Sequence, residues 1–324
     1  MLACMARADL LVHLVRAARE RDEASLRRTV ESMVAEERVK QHHLLAERLE
    51  EALHATPGLA AGEPTSAAPV GFSVLVPRRT LDELVLPDVA RQSVGELVEE
   101  QQRTEVLRAH GLEPRHRVLL IGPPGNGKTS LAEAIAEALL LPMVVLRYEE
   151  VIGSFLGETA SRLAGVFDFA RTRRCVVFFD EFDALAKERG DQHETGEIKR
   201  VVSSLLLQVD ALPSHAVFIA ASNHPELLDR AVHRRFELRL ELPLPGPVAR
   251  HAWFERLLAD LGQPAGMSAE TLSKRSAGAS FSQLQNLADD LRRRQVLAPA
   301  TPLKRLLPER LARWRAVCAL EAHA

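Results

Sequence analysis

Gly122-Pro-Pro-Gly-Asn-Gly-Lys-Thr-Ser130 is the stretch on which the fold turns. A short apolar run, Val118-Leu-Leu-Ile121, precedes it, and a helix-patterned segment, Leu131 to Leu140, follows. This is the GxxxxGK[ST] pattern in the strand–loop–helix setting it requires. The glycines let the backbone curl closely around a triphosphate, so that successive N–H groups face its oxygens. The expected phosphate cradle is Gly122, Pro123, Pro124, Gly125, Asn126, Gly127, Lys128, Thr129 and Ser130. Lys128 is placed to reach the β- and γ-phosphates, and the Thr129 hydroxyl to hold Mg²⁺. The positive end of the following helix adds to the attraction.

Composition sets outer bounds. At 324 residues the chain has room for two or three compact units. Its 42 Lys plus Arg against 44 Asp plus Glu give a formal charge of −2, which argues against a dedicated nucleic-acid binder. Aromatics make up only 4% of residues, so the core must rest on Leu, Val and Ala. Cys4, Cys175 and Cys318 are far apart and form no metal-ligand pair. No apolar run reaches the length of a membrane span, and the start lacks a secretory cleavage pattern, so a cytoplasmic protein is expected.

Outward from the loop, the chain divides by composition. Residues 1–55 carry apolar positions at helical spacing, among them Leu10, Leu14, Val30, Met33, Leu45 and Leu49. They are expected to form an N-terminal helical bundle that docks or recruits a partner. Residues 56–74 are rich in Ala, Gly, Pro, Ser and Thr near their start and read as a linker. From 75 to 245, apolar strands alternate with helices: Val118–Ile121, Met143–Leu146, Cys175–Phe179, Ala216–Ala221 and about Glu237–Leu242. The helices are expected near Val89–His110, Leu131–Leu140, 158–171 and Thr195–Gln208. That alternation predicts an α/β fold, a P-loop NTPase with a mostly parallel sheet flanked by helices. Residues 246–324 read as a small α-helical lid domain with a C-terminal helix.

Hydrolysis needs a carboxylate for the metal and a group to orient the attacking water. Asp180 and Glu181 emerge from an apolar strand in FFDEFDAL, and Asp183 completes the pattern. Asp180 is assigned to the Mg²⁺ shell and Glu181 to the water.

Residues 117–129, 176–185 and 217–236 together resemble the AAA family of ATPases, in its classical branch, as a stand-alone module of bacterial type. The resemblance implies that Asn223, at the end of the fourth expected strand, senses the γ-phosphate. It implies that Arg234 and Arg235 act as arginine fingers on the nucleotide of a neighbouring subunit, and hence a head-to-tail homo-oligomer, a hexamer in this family. Asp210, in Val209-Asp-Ala-Leu212, resembles the inter-subunit signalling turn. Ile152-Gly-Ser-Phe-Leu-Gly-Glu158 resembles the loop lining the ring's central pore, with Phe155, Leu156 and Gly157 gripping an extended protein client. Ala277–Leu284 resembles the start of a lid helix but offers no arginine, so no second sensor is assigned; Gly278 and Ser282 are candidates to approach the nucleotide. Asn126 stands where threonine is commoner, and is expected to matter little because the loop works through its backbone. A separate subtilisin-like protease partner is a further implication. The expected function is thus an ATP- and Mg²⁺-dependent motor that remodels proteins. A nucleic-acid motor and a nucleotide-switched scaffold are the alternatives.

Overall fold

The computed structural model describes residues 23–39, 73–147, 156–184 and 196–321. The chain falls into two compact units, one of residues 1–70 with 97–115 and the other of residues 71–96 with 116–324.

In the first unit, helix α1 (Glu23–Val39) buries Val30 and Val34, four residues apart on one helical face. The expected helices around Leu10 and Leu45, and the linker up to residue 72, lie outside the described residues. The single helix expected over Val89–His110 is two: α2 (Asp88–Gln102) and α3 (Thr104–Ala109). The break falls at Arg103, whose backbone leaves the helical region at φ −111°, ψ 31°. Arg115 folds back on the end of α2, its side chain 2.5 Å from Glu100 and its carbonyl accepting from the Gln101 amide at 2.8 Å.

The second unit carries the sheet. Its strands are β1 (Ser73–Leu75), β2 (Arg117–Ile121), β3 (Met143–Arg147), β4 (Val176–Asp180), β5 (Val217–Ser222) and β6 (Leu238–Glu241). They run in the order β1-β3-β4-β5-β2-β6, with only β1 antiparallel to its neighbour. The five parallel strands are those expected from the apolar runs, each within a residue or two. β1 was not: three residues with one half-buried side chain carry no periodic signal.

Helices α4 (Lys128–Ala138), α5 (Leu156–Thr172), α6 (Gly196–Asp210) and the short α7 (Arg230–His233) connect the strands. Every residue of β5 is buried, as a central parallel strand covered on both faces requires. One apolar cluster includes Phe167, Phe179, Phe182, Phe218 and Phe236. Phe182 meets Phe179 and Phe236 edge-on at ring-centroid distances of 5.4 and 5.8 Å. Each such buried ring contributes roughly 2–3 kcal/mol by removal from water.

After β6 the chain is helical: α8 (Pro247–Leu261), α9 (Ala269–Arg275), α10 (Phe281–Leu297) and α11 (Leu303–Glu321). They share a second apolar cluster built on Phe254, Leu272, Leu284, Leu291 and Leu307. Gly262 ends α8 in the left-handed region at φ 62°, a conformation that other residues adopt at a cost. Ser280 caps α10 in a reciprocal capping box with Gln283, which fixes where that helix begins.

Candidate functional site

The order β3-β4-β5-β2-β6 places a switch point beside β2, because the chain leaves β2 for β3 on one side and β5 for β6 on the other. Ligands in open α/β sheets sit at such a point, at the carboxyl ends of the strands. There the structure holds a cleft of about 800 Å³ lined by Pro124 to Ser130, Asp180, Glu181 and Asn223.

The loop after β2 is held open by its glycines. Gly125 and Gly127 have φ of 75° and 85°, and Gly127 is the last residue before α4 begins. A Cβ at Gly122 would lie 2.2 Å from the Leu242 carbonyl oxygen, so only glycine lets β2 and β6 close there. Lys128 Nζ donates to the Gly122 carbonyl at 2.6 Å, the Pro123 carbonyl at 3.0 Å and Asn223 Oδ1 at 2.6 Å. Burial lowers the Lys128 pKa, while the Asp180 and Asp183 carboxylates pull it upward. The ammonium is thus poised against low-dielectric surroundings, where its attraction for an added anion is strong.

Thr129 Oγ1 donates to Asp180 Oδ2 at 3.2 Å. A hydroxyl beside a carboxylate is a pair of hard oxygen donors, the chemistry Mg²⁺ takes, so the residues present fit that ion. Glu181 follows, in the left-handed region at φ 55°, with its N–H on Asp180 Oδ1 at 3.0 Å. A non-glycine residue held there costs of order 1–3 kcal/mol, and such strain gathers at functional sites.

Asn126 does more than expected. Its side chain is buried and donates to the Leu242 carbonyl at 3.2 Å, tying the loop to the end of β6. The helical segment after β6 also reaches the loop: the Ser282 N–H donates to the Gly125 carbonyl at 2.9 Å. Ser282 therefore lines the cleft, together with Trp253, Phe281 and Asn286, while Gly278 is not among the lining residues. The opposite wall includes Arg79 and Leu84 to Leu86; Arg79 donates to Ser130 Oγ at 3.1 Å. Trp253, Phe281 and Arg79 were missed from sequence. Each is far from the loop along the chain; Arg79 and Trp253 carry no motif, and Phe281 sits in the lid-helix stretch from which only Gly278 and Ser282 are singled out.

The remaining expected residues fall elsewhere. Arg234 is exposed at the end of α7, and Arg235 is half-buried with its Nε 2.9 Å from Asp210 Oδ2. Asp210 is the last residue of α6, and Ala211 begins the turn that follows. Arg117 lies 3.8 Å from Asp210 and 2.6 Å from Glu237. Helix α5 starts two residues earlier than expected, which draws Leu156 and Gly157 into its first turn. Phe155 lies outside the described residues.

A glycine-rich loop between β2 and α4, with lysine, threonine, carboxylates and asparagine converging on it, defines a P-loop nucleotide-binding domain. Residues 118–244 match the ATPase family associated with various cellular activities, AAA. An uncharacterised AAA family ATPase of Sinorhizobium fredii, y4kL, is 38% identical over 242 residues, 72% of this chain and 73% of that protein. The chain therefore belongs to the AAA family and is an ATPase. It is also 32% identical to ATP-dependent zinc metalloprotease FtsH 1 of Salinibacter ruber over 66% of its own length, but spans only 32% of that protein. Among solved structures, the FIGL-1 AAA domain in complex with ADP superposes with a TM-score of 0.55 at 26% identity, covering 68% of this chain and 74% of that one.

Proposed function

We propose that this chain uses ATP and Mg²⁺ to drive a ring, a hexamer of identical subunits, that unfolds or remodels protein clients through a central pore. The observation that carries the reading is the convergence of Lys128, Thr129, Asp180 and Asn223 at the foot of one cleft, linked by hydrogen bonds. Lys128 and the backbone N–H groups of residues 125–130 hold the phosphates, since Pro123 and Pro124 have none to donate. Thr129 and Asp180 hold Mg²⁺, which when bound neutralises charge on the transferring group. Glu181 orients and polarises water, and Asn223 contacts the γ-phosphate. Arg234 and Arg235 act on the neighbour's nucleotide, and Asp210 reports its state across the boundary.

Support for a protein client comes from two sides. A relative is named an ATP-dependent zinc metalloprotease, and the sequence Ile152–Glu158, with Phe155-Leu156-Gly157, resembles the family's pore loop. In this reading residues 1–55 recruit the client, residues 56–74 link them to the ATPase domain of 75–245, and 246–324 form its lid. The machine works in the cytoplasm, with a separate protease as a partner that would receive the client. Among the described residues no helix is long and apolar enough to cross a membrane.

A trap tests this. Glu181→Gln should retain ATP binding and lose turnover by about 10²–10⁴-fold, the range for removing a general base. In the assembled state it should hold polypeptides that are released when Phe155→Ala is added. Nucleic acid in the trapped complex, or a cargo indifferent to Phe155→Ala, would overturn the protein-threading reading.

A further inference from the structure

The third carboxylate of FFDEFDAL has no part in the chemistry assigned so far, yet it is the most confined of the three. Asp183 is 7% exposed, whereas Asp180 and Glu181 line the open cleft. Burying a carboxylate is costly unless hydrogen bonds satisfy it, so its partners indicate what it is kept for. One partner is the backbone N–H of Asn223, which donates to Asp183 Oδ1 at 3.0 Å. Asn223 is the first residue beyond β5, where the sheet ladder has ended. Its main chain is fixed by this carboxylate instead. On its other side, Asn223 Oδ1 accepts from Lys128 at 2.6 Å, which leaves Nδ2 as the end of the amide that can donate to a ligand.

The chain around Asp183 is itself anchored. Phe182, its neighbour, is 2% exposed and wedged edge-on among Phe179, Phe218 and Phe236. The Ala184 N–H closes on the Glu181 carbonyl at 3.0 Å, which turns the backbone at once after β4. A buried aromatic anchor thus holds a carboxylate against the main chain of a residue whose side chain faces the phosphate-binding lysine.

We infer that Asp183 is a positioning residue for ATP hydrolysis: it locks the main chain of Asn223 so that the Asn223 amide is presented at the cleft in one orientation. The inference rests on the hydrolytic role proposed above for Asn223. It makes the strand-end carboxylates of β4 serve two strands, with Asp180 and Glu181 acting at their own strand end and Asp183 setting the end of β5. A hydrogen bond from an outer group that orients an inner one is typically worth 10- to 100-fold in activity.

The test is a mutant cycle in the full-length chain, reading kcat for ATP, the dissociation constant for ADP, and the melting temperature. Asn223→Ala should lower kcat on the order of 10²-fold, as loss of one transition-state donor does. Asp183→Ala should lower kcat roughly 10- to 100-fold with ADP affinity held within about threefold. Asp183→Asn keeps an oxygen acceptor at the same place and should recover kcat to within about threefold. Combined with Asn223→Ala, Asp183→Ala should add little further loss, because both act through one amide. If Asp183→Ala does not fold, Asp183→Ser replaces it, since its shorter side chain fills the site without spanning to the Asn223 N–H. Full activity in Asn223→Ala would remove the role assigned to Asn223 and this inference with it. A slow Asn223→Ala beside a normal Asp183→Ala would overturn this inference alone. So would losses that multiply in the double variant, or a fall in ADP affinity as large as the fall in kcat, since both mark Asp183 as merely structural.

Discussion

The phosphate end of the cleft and the arginine edge of the same domain are built on opposite principles. At the cleft, Lys128, Thr129, Asp180, Asp183 and Asn223 are joined by hydrogen bonds of 2.6 to 3.2 Å around a space that accepts a ligand. At the edge, Arg235, Asp210, Arg117 and Glu237 pair with one another in their own chain, while Arg234 is exposed. The first region is complete within one subunit. The second is satisfied in a subunit by itself, so the trans role proposed for Arg235 would require it to exchange Asp210 for a new anion. The cleft is thus preorganised within one chain, and on the proposed reading the arginine edge is held in reserve by an ion pair.

The largest effect that could break this contrast is at Arg235. If it acts only across a subunit boundary, Arg235→Ala should lower kcat on the order of 10³-fold and leave ADP affinity unchanged within a factor of two or three. Turnover and binding are measured on the same preparation. Equal losses in both would place Arg235 in the cleft of its own chain and erase the distinction between the two regions.

The sequence exposes the first region far more readily than the second, for a physical reason. A phosphate loop is local: its glycines, lysine and threonine act within nine residues, so Gly122 to Ser130 carries the reading by itself. The five parallel strands are legible for a similar reason, since each is a continuous buried apolar run. Contacts across the chain leave no such mark. Nothing near Arg79 or Trp253 announces that they line the cleft with Pro124, and the Arg235–Asp210 pair spans 25 residues. Asn126 shows the opposite failure. A motif position regarded as backbone-only makes a side-chain bond to Leu242, 116 residues away.

A smaller effect concerns how the edge is held at low pH. Burial alone would raise the Glu237 pKa. The His116 N–H, donating at 2.8 Å, and the Arg117 guanidinium outweigh it and hold the carboxyl below the ordinary value of 4.5. The folded carboxylate therefore releases its proton more readily than the unfolded one. Its stabilisation is complete above about 4.5 and is lost as pH falls through the lower folded value. Unfolding free energies from urea titrations of wild type and Glu237→Gln should differ by a constant amount of about 1–2 kcal/mol from pH 7 to 5 and converge below 4.5. A gap that persists unchanged at pH 3 would mean that the charge of Glu237 does not hold the edge.

The smallest effect is also the one that sharpens the comparison most. The Arg235 and Asp210 side chains are 27% and 36% exposed, so their ion pair is screened by water and worth only about 0.2–1 kcal/mol. Asp210→Ala removes that competitor without touching the cleft. If Arg235 is held in reserve, the protein concentration at half-maximal ATPase activity should fall by about 1.5- to 5-fold, which is the same energy expressed as a ratio. The ADP dissociation constant should not change. A rise in the half-maximal concentration would instead show that Asp210 is needed on the boundary itself, as a reporter of nucleotide state rather than a restraint on the arginine. The two outcomes have opposite signs, so a shift even near the low end of that range decides between them. Low ionic strength favours the measurement, because an exposed pair loses most of its strength as salt is added.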